Sequence, residues 1–476
     1  MAGDGSSVHV LSTIDPSAGH TFLKPTKKIH ETSHVQEFLS SMAYADIVTF
    51  LMQLNRSMFP SKSSDGHVQS WTLSSEVVQF SAPVRRLQHL LSKLEDLLEQ
   101  TPLEDGEYRY ANGAYQIWHD KVKEKAVELL TECLSPEILH TPSSDPDGVT
   151  AEAELMEYFM GSWGSRERMD YGTGHELSFL AFLLALWKLN LFPQNEPGVE
   201  ERALVLGVIE PYLQLIRAVI KKYKLEPAGT HGVWGLDDHS FIPYIFGSAQ
   251  LGPAITSSEK VPEVGSLPDA PDPDGVTKRN IVERERKVNM YFSAIGFIYD
   301  VKRGPFWEHS QMLFDISGIP TGWAKINKGM LKMYNVEVLG KFPVVQHFRF
   351  GSLLSWDRYP TPTNLQSCST NPSGSETGPR QAPPVARPDP GAGTRAPWAT
   401  ASSGPQMYSG TAAPWATAST RVPVAPPSAT RFPTAYLDSS RRPPGPMDST
   451  RAPWASAQQA PPNESPETTT RAPWAK

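Results

Sequence analysis

The sequence lacks most of the motifs by which common enzyme classes are recognised. Its 476 residues include only two cysteines, Cys133 and Cys368, whose number and spacing suit neither a disulfide framework nor a metal site. It contains no P-loop, no Gly-x-Ser-x-Gly elbow and no Cys-x-x-Cys pair. The pair His175-Glu176 is not a zinc-protease helix, because Phe179 stands where the second histidine would be. An enzyme of a common class is therefore disfavoured.

Signals for secretion, membrane insertion and nucleic-acid binding are also missing. Residues 1–19 have neither the basic start nor the apolar centre of a signal peptide. The longest apolar run, 177–189, is interrupted by Ser178 and Lys188 and is too short to span a bilayer. A net charge of −7 argues against a nucleic-acid-binding body, which would need a basic face. We expect a soluble protein of a reducing compartment, with Cys133 buried and inert, and no nucleic-acid or membrane partner.

The 44 prolines are concentrated after Tyr359, which divides the chain. We predict a disordered leader over 1–23, a folded domain over 24–357 and a disordered tail over 358–476. The tail is rich in Pro, Ala, Ser and Thr and too poor in apolar residues to offset the entropy of ordering. It repeats Thr-Arg-Ala-Pro-Trp at 394–398, 450–454 and 470–474, with degenerate copies at 413–415, 420–423 and 430–433. The repeat is either a multivalent docking motif or a low-complexity expansion without a partner.

The folded part has the apolar spacing of helices and no series of alternating strands, so we predict an all-α fold. Leucines recur at three- and four-residue steps over 87–98, just after Pro83. Similar patterns cover 38–52, 115–130, 209–223 and 288–299. Residues 177–189 are apolar nearly all round, which predicts a central buried helix. The Pro-, Asp- and Gly-containing stretch 257–277 is predicted to be a surface insertion between helices.

Four segments combine glycines, aromatics and charges. In the first, 168–176, a Gly-Thr-Gly opens the buried helix, and free amides at a helix N-terminus suit an anion. Arg168 could add a bidentate phosphate contact. A tight turn capped by Thr173 is the structural alternative, and a short glycine-rich loop alone favours it.

The second segment, 229–239, holds three glycines and the adjacent pair Asp237 and Asp238. One carboxylate with backbone carbonyls and waters is how Mg²⁺ is usually held beside a nucleotide. A capping Asp next to a salt-bridged Asp is equally compatible with the pattern. The third segment spans 302–310 and 318–334, where Gly329 and Met333 lie four residues apart on one helical face. The fourth is 341–351.

In this order the segments closely resemble the phosphotyrosyl phosphatase activator (PTPA) family, in a fungal form with a long C-terminal tail. The motifs are Asp-Tyr-Gly-Thr-Gly-His-Glu at 170–176, Gly-Val-Trp-Gly-Leu-Asp-Asp at 232–238 and Phe-Pro-Val-Val-Gln-His-Phe at 342–348, with Ala-Tyr-Ala-Asp at 43–46. The resemblance covers about 24–357, without the 257–277 insertion or the tail. The family usually has aromatic-Gly-Asn where this chain has Tyr-Ala-Asn-Gly at 110–113.

The resemblance implies a helical fold with core, lid and linker subdomains, and an ATP- and Mg²⁺-dependent activator of the catalytic subunit of protein phosphatase 2A, with or without its scaffold subunit. It also implies peptidyl-prolyl cis-trans isomerase activity on proline-containing segments, with no catalytic residue identified, and a cytoplasmic and nuclear location. The residues it implies are Arg168, Thr173, Gly174, Pro343, Gln346 and His347 for the nucleotide, Gly232 and Asp238 for the metal, and Glu308, Ile319, Gly329 and Met333 for the phosphatase.

Two other functions compete with this one. A stand-alone ATPase or phosphotransferase would use Asp237 or Asp238 as its base and turn over without a phosphatase. A non-enzymatic scaffold would recruit partners through the tail, so deletion of 360–476 would abolish its function.

Overall fold

Helices account for most of the regular structure, as predicted. The computed structural model describes residues 10–15, 19–106, 108, 110–134, 136–139, 149–229 and 235–360. Within these ranges the α-helices are α1 His34–Phe38, α2 Met42–Met58, α3 Ala82–Glu99, α4 Ala114–Cys133, α5 Pro136–Leu139, α6 Ala151–Gly161, α7 Thr173–Lys188, α8 Val199–Leu204, α9 Glu210–Tyr223, α10 Ile242–Gln250, α11 Arg279–Glu285, α12 Met290–Val301, α13 Phe306–His309, α14 Gln311–Ser317, α15 Trp323–Tyr334 and α16 Phe342–Val345. A 3₁₀ turn covers Pro273–Thr277, and π-helical turns cover Val205–Ile209 and Asn335–Leu339.

The described strands are two residues each: β1 Thr26–Lys27, β2 Ser61–Lys62, β3 Val68–Gln69, β4 Asp170–Tyr171, β5 Glu226–Pro227 and β6 Arg349–Phe350. β1 pairs antiparallel with β6, with Lys27 opposite Arg349. β2 and β3 form a second antiparallel pair. β4 and β5 run parallel, with Tyr171 opposite Pro227. The β1–β6 and β4–β5 pairs join distant parts of the chain and β2–β3 is a local hairpin, and none forms a sheet layer, so the all-α prediction is confirmed.

Helix α3 shows how the apolar spacing becomes structure. The Ser81 hydroxyl accepts from the Val84 amide, and a proline follows in the first turn, where its missing N–H is not needed. The stripe of leucines predicted from the spacing is buried: Leu87, Leu90, Leu91, Leu94, Leu97 and Leu98. Burial of each such side chain contributes roughly 1.5–3 kcal/mol before the entropy of ordering is subtracted.

Helix α7 is buried nearly all round, as predicted, from Glu176 through Trp187 apart from half-buried Ser178. Phe179 stacks on Tyr212 of α9 with ring centroids 3.6 Å apart. At the other end Lys188 donates to Asp46 of α2 at 2.7 Å. The neighbouring helices therefore fix the orientation of α7, and with it the first turn that carries the Gly-Thr-Gly sequence.

One continuous helical stretch among the described residues, Val199–Tyr223, is long and apolar enough to cross a membrane. Of its most apolar window, 89% is buried inside the protein. The stretch thus packs as a core helix.

The predicted disordered leader is wrong for residues 10–15 and 19–23. Leu11 and Phe22 are 4% and 1% exposed. The Leu11 amide donates to the Gln53 side chain at 2.9 Å, and the Ile14 amide donates to the Lys188 carbonyl at 2.7 Å. These described residues are held in place because Leu11 and Phe22 are buried in the core. Residues 1–9 and 16–18 lie outside the described ranges.

The 257–277 insertion does connect two helices, α10 and α11, but it is tied to the domain. The Ala324 amide donates to the Gly265 carbonyl at 2.9 Å, and the Trp323 indole donates to the Pro271 carbonyl at 2.7 Å. The insertion thus covers the start of α15.

Cys133 is buried as predicted, and burial raises the pKa of its thiol to about 12.

The core, lid and linker division stays a prediction, since all described residues fall in one compact unit. The predicted disordered tail lies outside the described residues from 361 on.

Candidate functional site

The first turn of α7 is open at its N-terminus and closely flanked by backbone. Its N-cap residue is Gly172, which has no side chain with which to cap the first-turn amides. A Cβ on Gly172 would lie 3.0 Å from the Ala228 carbonyl oxygen, and one on Gly174 would lie 3.3 Å from the Val344 carbonyl oxygen. Both glycines therefore let neighbouring chain approach more closely than a side chain would allow. The close contact at Val344 brings α16 against α7, so the first and fourth sequence segments meet, as the resemblance implies.

Basic side chains gather beside this turn. The Arg168 side chain is 48% exposed and donates from Nε to Asp170 Oδ2 at 2.7 Å. Partial burial, and then repulsion from Arg168 and Lys27, lower the pKa of His347. Arg168 and His347 are therefore neighbours, as expected. Lys27 is a third basic residue that the sequence analysis missed, because only the pairing of β1 with β6 brings it here.

His175 is neutral at physiological pH in this surrounding. Burial, its largest cause, lowers the pKa of the imidazole to about 4. Nδ1 lies 2.8 Å from the Gly161 carbonyl oxygen, so Nδ1 carries the proton and Nε2 does not. Nε2 then faces Asp170 Oδ1 at 3.9 Å without a proton between them, and this buried carboxylate oxygen has no hydrogen-bond partner among the described residues. His175 therefore orients the turn and adds no charge.

Glu176 joins the first segment to the second. Its carboxylate, 1% exposed, accepts from the Phe241 amide at 2.9 and 3.1 Å and from the Ile242 amide at 3.1 Å. It thus caps the N-terminus of α10 from another helix. Burial raises the pKa of Glu176 to about 8, with a smaller contribution from Asp237. The sequence pattern gave no signal for this cap, because donor and acceptor are more than sixty positions apart.

The acidic pair shows half of the alternative arrangement: Asp238 is salt-bridged, but Asp237 does not cap α10, whose N-cap residue is Phe241. Asp237 accepts from the His239 amide at 2.9 Å and from the Tyr244 hydroxyl. Asp238 forms an ion pair with Lys302 at 2.6 Å. Within the described part of the chain no group of three or more His, Cys, Asp or Glu side chains could hold a metal. The other predicted ligand, Gly232, lies outside the described residues. These residues fit only a Mg²⁺ that keeps several waters and takes the place of Lys302 at the Asp238 carboxylate.

The remaining predicted nucleotide residues surround α16. Pro343 and His347 are exposed and Gln346 is half-buried. The side-chain amide of Gln346 donates from Nε2 to the Pro343 carbonyl at 3.2 Å. Across the described ranges no hydrogen bond or ion pair connects Asp238 to this group. Asp238 is connected to α7 indirectly, because its neighbour Asp237 lies close enough to Glu176 to raise the pKa of that carboxyl.

A comparison with protein families matches residues 25–356 to the phosphotyrosyl phosphate activator (PTPA) model. The chain belongs to this family. It is 74% identical over 402 residues to serine/threonine-protein phosphatase 2A activator 1 of Aspergillus oryzae, covering 84% of each chain. The Saccharomyces cerevisiae protein of that name is 38% identical over 335 residues, 70% of this chain and 76% of the relative. A crystal structure of the PP2A phosphatase activator Ypa1 is 34% identical, with a TM-score of 0.59, and covers 73% of this chain and 100% of its own.

The four phosphatase contacts that PTPA membership led us to expect do not share one exposed surface. Glu308 is exposed and Ile319 is half-buried, whereas Gly329 and Met333 are buried, Met333 to 4% exposure. Gly329 and Met333 are therefore not accessible to a phosphatase in the isolated chain as it stands, and their role as phosphatase contacts stays a prediction. The apolar side of α15 packs inward, where the Asn327 side chain donates to Asn55 Oδ1 and to the Ile245 carbonyl, both at 2.8 Å.

Proposed function

We propose that this chain is a Mg-ATP-dependent activator of the catalytic subunit of protein phosphatase 2A. The observation that carries the nucleotide part is the open first turn of α7, pressed against α16 and flanked by Arg168 and His347. The names of its relatives support the phosphatase part, since several are phosphatase 2A activators. The proposed partner is the catalytic subunit, either alone or together with its scaffold subunit.

The phosphates of the nucleotide would bind at the amides of Thr173 and Gly174. These amides belong to the first turn, where backbone donors lack intrahelical partners and the helix dipole is positive. Arg168 would turn from Asp170 to a phosphate, an exchange of one charge-assisted hydrogen bond for another. His347, close to Arg168, would add a second donor, and Pro343 with Gln346 would form the wall beside it.

Mg²⁺, when bound, would neutralise phosphate charge. Asp238 would be one of its protein ligands, and the carbonyl of Gly232, which lies outside the described residues, would be the other. Lys302 would have to leave Asp238, and it already contacts a second acceptor, the His309 carbonyl, at 3.4 Å. Asp237 is a poor general base, because both of its carboxylate oxygens are occupied by donors. This arrangement favours the activator over a stand-alone phosphotransferase.

We also propose peptidyl-prolyl cis-trans isomerase activity and a cytoplasmic and nuclear location, both on the family resemblance. An isomerase needs no nucleophile; it needs only to stabilise a twisted amide whose uncatalysed barrier is ~18–20 kcal/mol. A proline-peptide isomerisation assay and imaging of the fluorescently tagged chain test these two points separately.

The decisive experiment compares Arg168→Ala with Arg166→Ala. Arg166 lies two positions away but forms a bidentate pair with Asp120 of α4 at 2.6 and 2.7 Å, so it is a matched control. We expect Arg168→Ala to weaken Mg-ATP binding by calorimetry about tenfold or more, because a hydrogen bond to a charged group contributes roughly 1.5–3 kcal/mol. Arg166→Ala should bind like wild type. Equal binding by all three proteins would refute the placement of the nucleotide.

The same proteins should be assayed with the phosphatase catalytic subunit. Phosphatase activity should rise only when Mg-ATP is present, and less with Arg168→Ala at limiting ATP. ATP turnover without any phosphatase would instead support the stand-alone ATPase. Activation that does not respond to nucleotide would contradict the proposal.

A further inference from the structure

Two aromatic side chains on α13 and α14 are exposed to solvent although the residue before each of them is buried. Phe306 and Leu313 are 3% and 0% exposed, whereas Trp307 and Phe314 are 56% and 39% exposed. The rings of Trp307 and Phe314 lie 6.4 Å apart in an edge-to-face contact. Trp307 is the only exposed tryptophan among the described residues. Exposed aromatic pairs of this kind mark interaction sites more often than scattered single residues do.

Each exposed aromatic is followed by an acid. Glu308 follows Trp307 and Asp315 follows Phe314, and both acids are exposed. Neither forms an ion pair within the described ranges. Arg303, four residues before Trp307, is the exposed Arg or Lys nearest in sequence, and it forms no ion pair with either acid among the described residues. We call Trp307, Glu308, Phe314 and Asp315 the aromatic-acidic surface; it suits a ligand that combines an aromatic ring with a positive charge.

The tail contains such a ligand. Residues 361–476 carry ten Lys and Arg against six Asp and Glu, a net charge of +4, while residues 1–360 carry −11. In each full Arg-Ala-Pro-Trp copy the cation and the ring are three residues apart. A proline-containing segment bound as polyproline II has three residues per turn, which would place Arg and Trp on one side, about 9 Å apart. The last copy, 470–474, combines Arg471 with Lys476 and has no acid from 468 on.

We propose that the segment 470–476 docks in cis on the aromatic-acidic surface. Trp474 would pack against Trp307 and Phe314, and Arg471 with Lys476 would pair with Glu308 and Asp315. Reach does not limit the contact: the roughly 110 residues after 360 extend to about 360 Å, whereas a body of about 350 residues has a radius of gyration of about 20 Å. Since Glu308 is also a predicted phosphatase contact, docking would compete with the phosphatase; this consequence alone rests on the proposed function.

Lys476 makes the test specific, because it is the only lysine after residue 360. A carbodiimide joins a lysine to a carboxylate only when the two are in contact. Treatment of the full chain, followed by trypsin, should yield peptide 472–476 linked to peptide 304–325, whose only acids are Glu308 and Asp315. The link should form without phosphatase or nucleotide, so its failure is separable from failure of the proposed function.

The expected change can be estimated from tethering. A tail that supplies about 1 mM effective concentration to a contact with a Kd of about 1 mM is docked half of the time. Loss of the indole in Trp474→Ala should weaken the contact about tenfold and lower the cross-link yield about fivefold. Trp307→Ala should lower it similarly, with an unchanged melting temperature because Trp307 is exposed.

Trp415→Ala is the matched control, because Trp415 follows a proline but has Ala412 where the arginine would stand. Its cross-link yield should equal that of wild type. No linked peptide, or an equal yield in Trp474→Ala, would overturn the proposal. A yield that rises with protein concentration would overturn it as well, because it would show a contact between two copies.

Discussion

Glu176→Gln tests the connection between the first turn of α7 and the segment around Asp237. The wild-type carboxylate is buried and accepts from two amides at the start of α10. Glutamine keeps an oxygen acceptor for these amides and removes the charge. The variant therefore separates the role of the hydrogen bonds from the cost of a buried negative charge beside Asp237.

The magnitude follows from the raised pKa. The carboxyl changes from an unfolded value near 4.5 to about 8 in the folded chain, mainly through burial, while Arg217 opposes the shift only weakly. Between these values the folded state binds more protons than the unfolded state, so the free energy of unfolding falls as pH rises. Each pH unit inside this window costs up to about 1.4 kcal/mol, or about 2–3 kcal/mol from pH 5 to pH 7. Glu176→Gln removes this dependence.

The assay is urea unfolding of wild type and Glu176→Gln at pH 5, 6, 7 and 8, with exposed Glu128→Gln as the control. The difference in unfolding free energy, variant minus wild type, should rise with pH by about 2–3 kcal/mol between pH 5 and 7. The control difference should stay flat. A flat difference for Glu176→Gln would show that the α10 amides fully offset the burial cost and that the carboxylate is ionised throughout.

Three further predictions address single residues. Asp238→Ala should abolish the Mg²⁺ dependence of nucleotide binding measured by calorimetry while helical content by circular dichroism is kept; binding with wild-type Mg²⁺ dependence would exclude Asp238 as the ligand. Met333→Asp should lower the free energy of unfolding by roughly 3–5 kcal/mol, because it buries an unpaired charge, and unchanged urea unfolding would show that the side chain reaches solvent. Leu11→Ala should cost about 2–3 kcal/mol in the same assay, whereas exposed Ser12→Ala should be neutral; equal effects would return the leader to disorder.

The helices could be predicted from sequence because their signal is local. The leucine stripe of α3 and the nearly all-apolar sequence of α7 each predict which faces are buried from residues of that one helix. The leader could not be predicted in this way. The apolar residues around Leu11 and Phe22 have no helical spacing, and the segment is fixed by contacts with α2, α7 and the residues after β6, which no local pattern encodes.

The site could be predicted in part for the same reason. The Gly-Thr-Gly turn and the acidic pair are local motifs, and the order of the segments led to the family. Lys27 and the cap by Glu176 depend on contacts across more than sixty positions, so spacing contained no information on them. Spacing also failed to decide which apolar face of α15 is covered, because an inward-packing face and a partner-binding face have the same composition.

Helix α15 limits how the predicted phosphatase contacts can act together. Asn55 and Asn327 exchange two buried hydrogen bonds, at 2.8 and 3.0 Å, which hold α15 against α2. If Met333 became accessible by a movement of α15 away from α2, this pair would break, and each buried polar group left unpaired costs roughly 1–3 kcal/mol. A ligand can supply that energy only by binding the opened form better than the closed one. Either the phosphatase contacts the accessible Glu308 and Ile319 alone, or its binding, together with that of the nucleotide, opens α15 by a differential affinity of several kcal/mol.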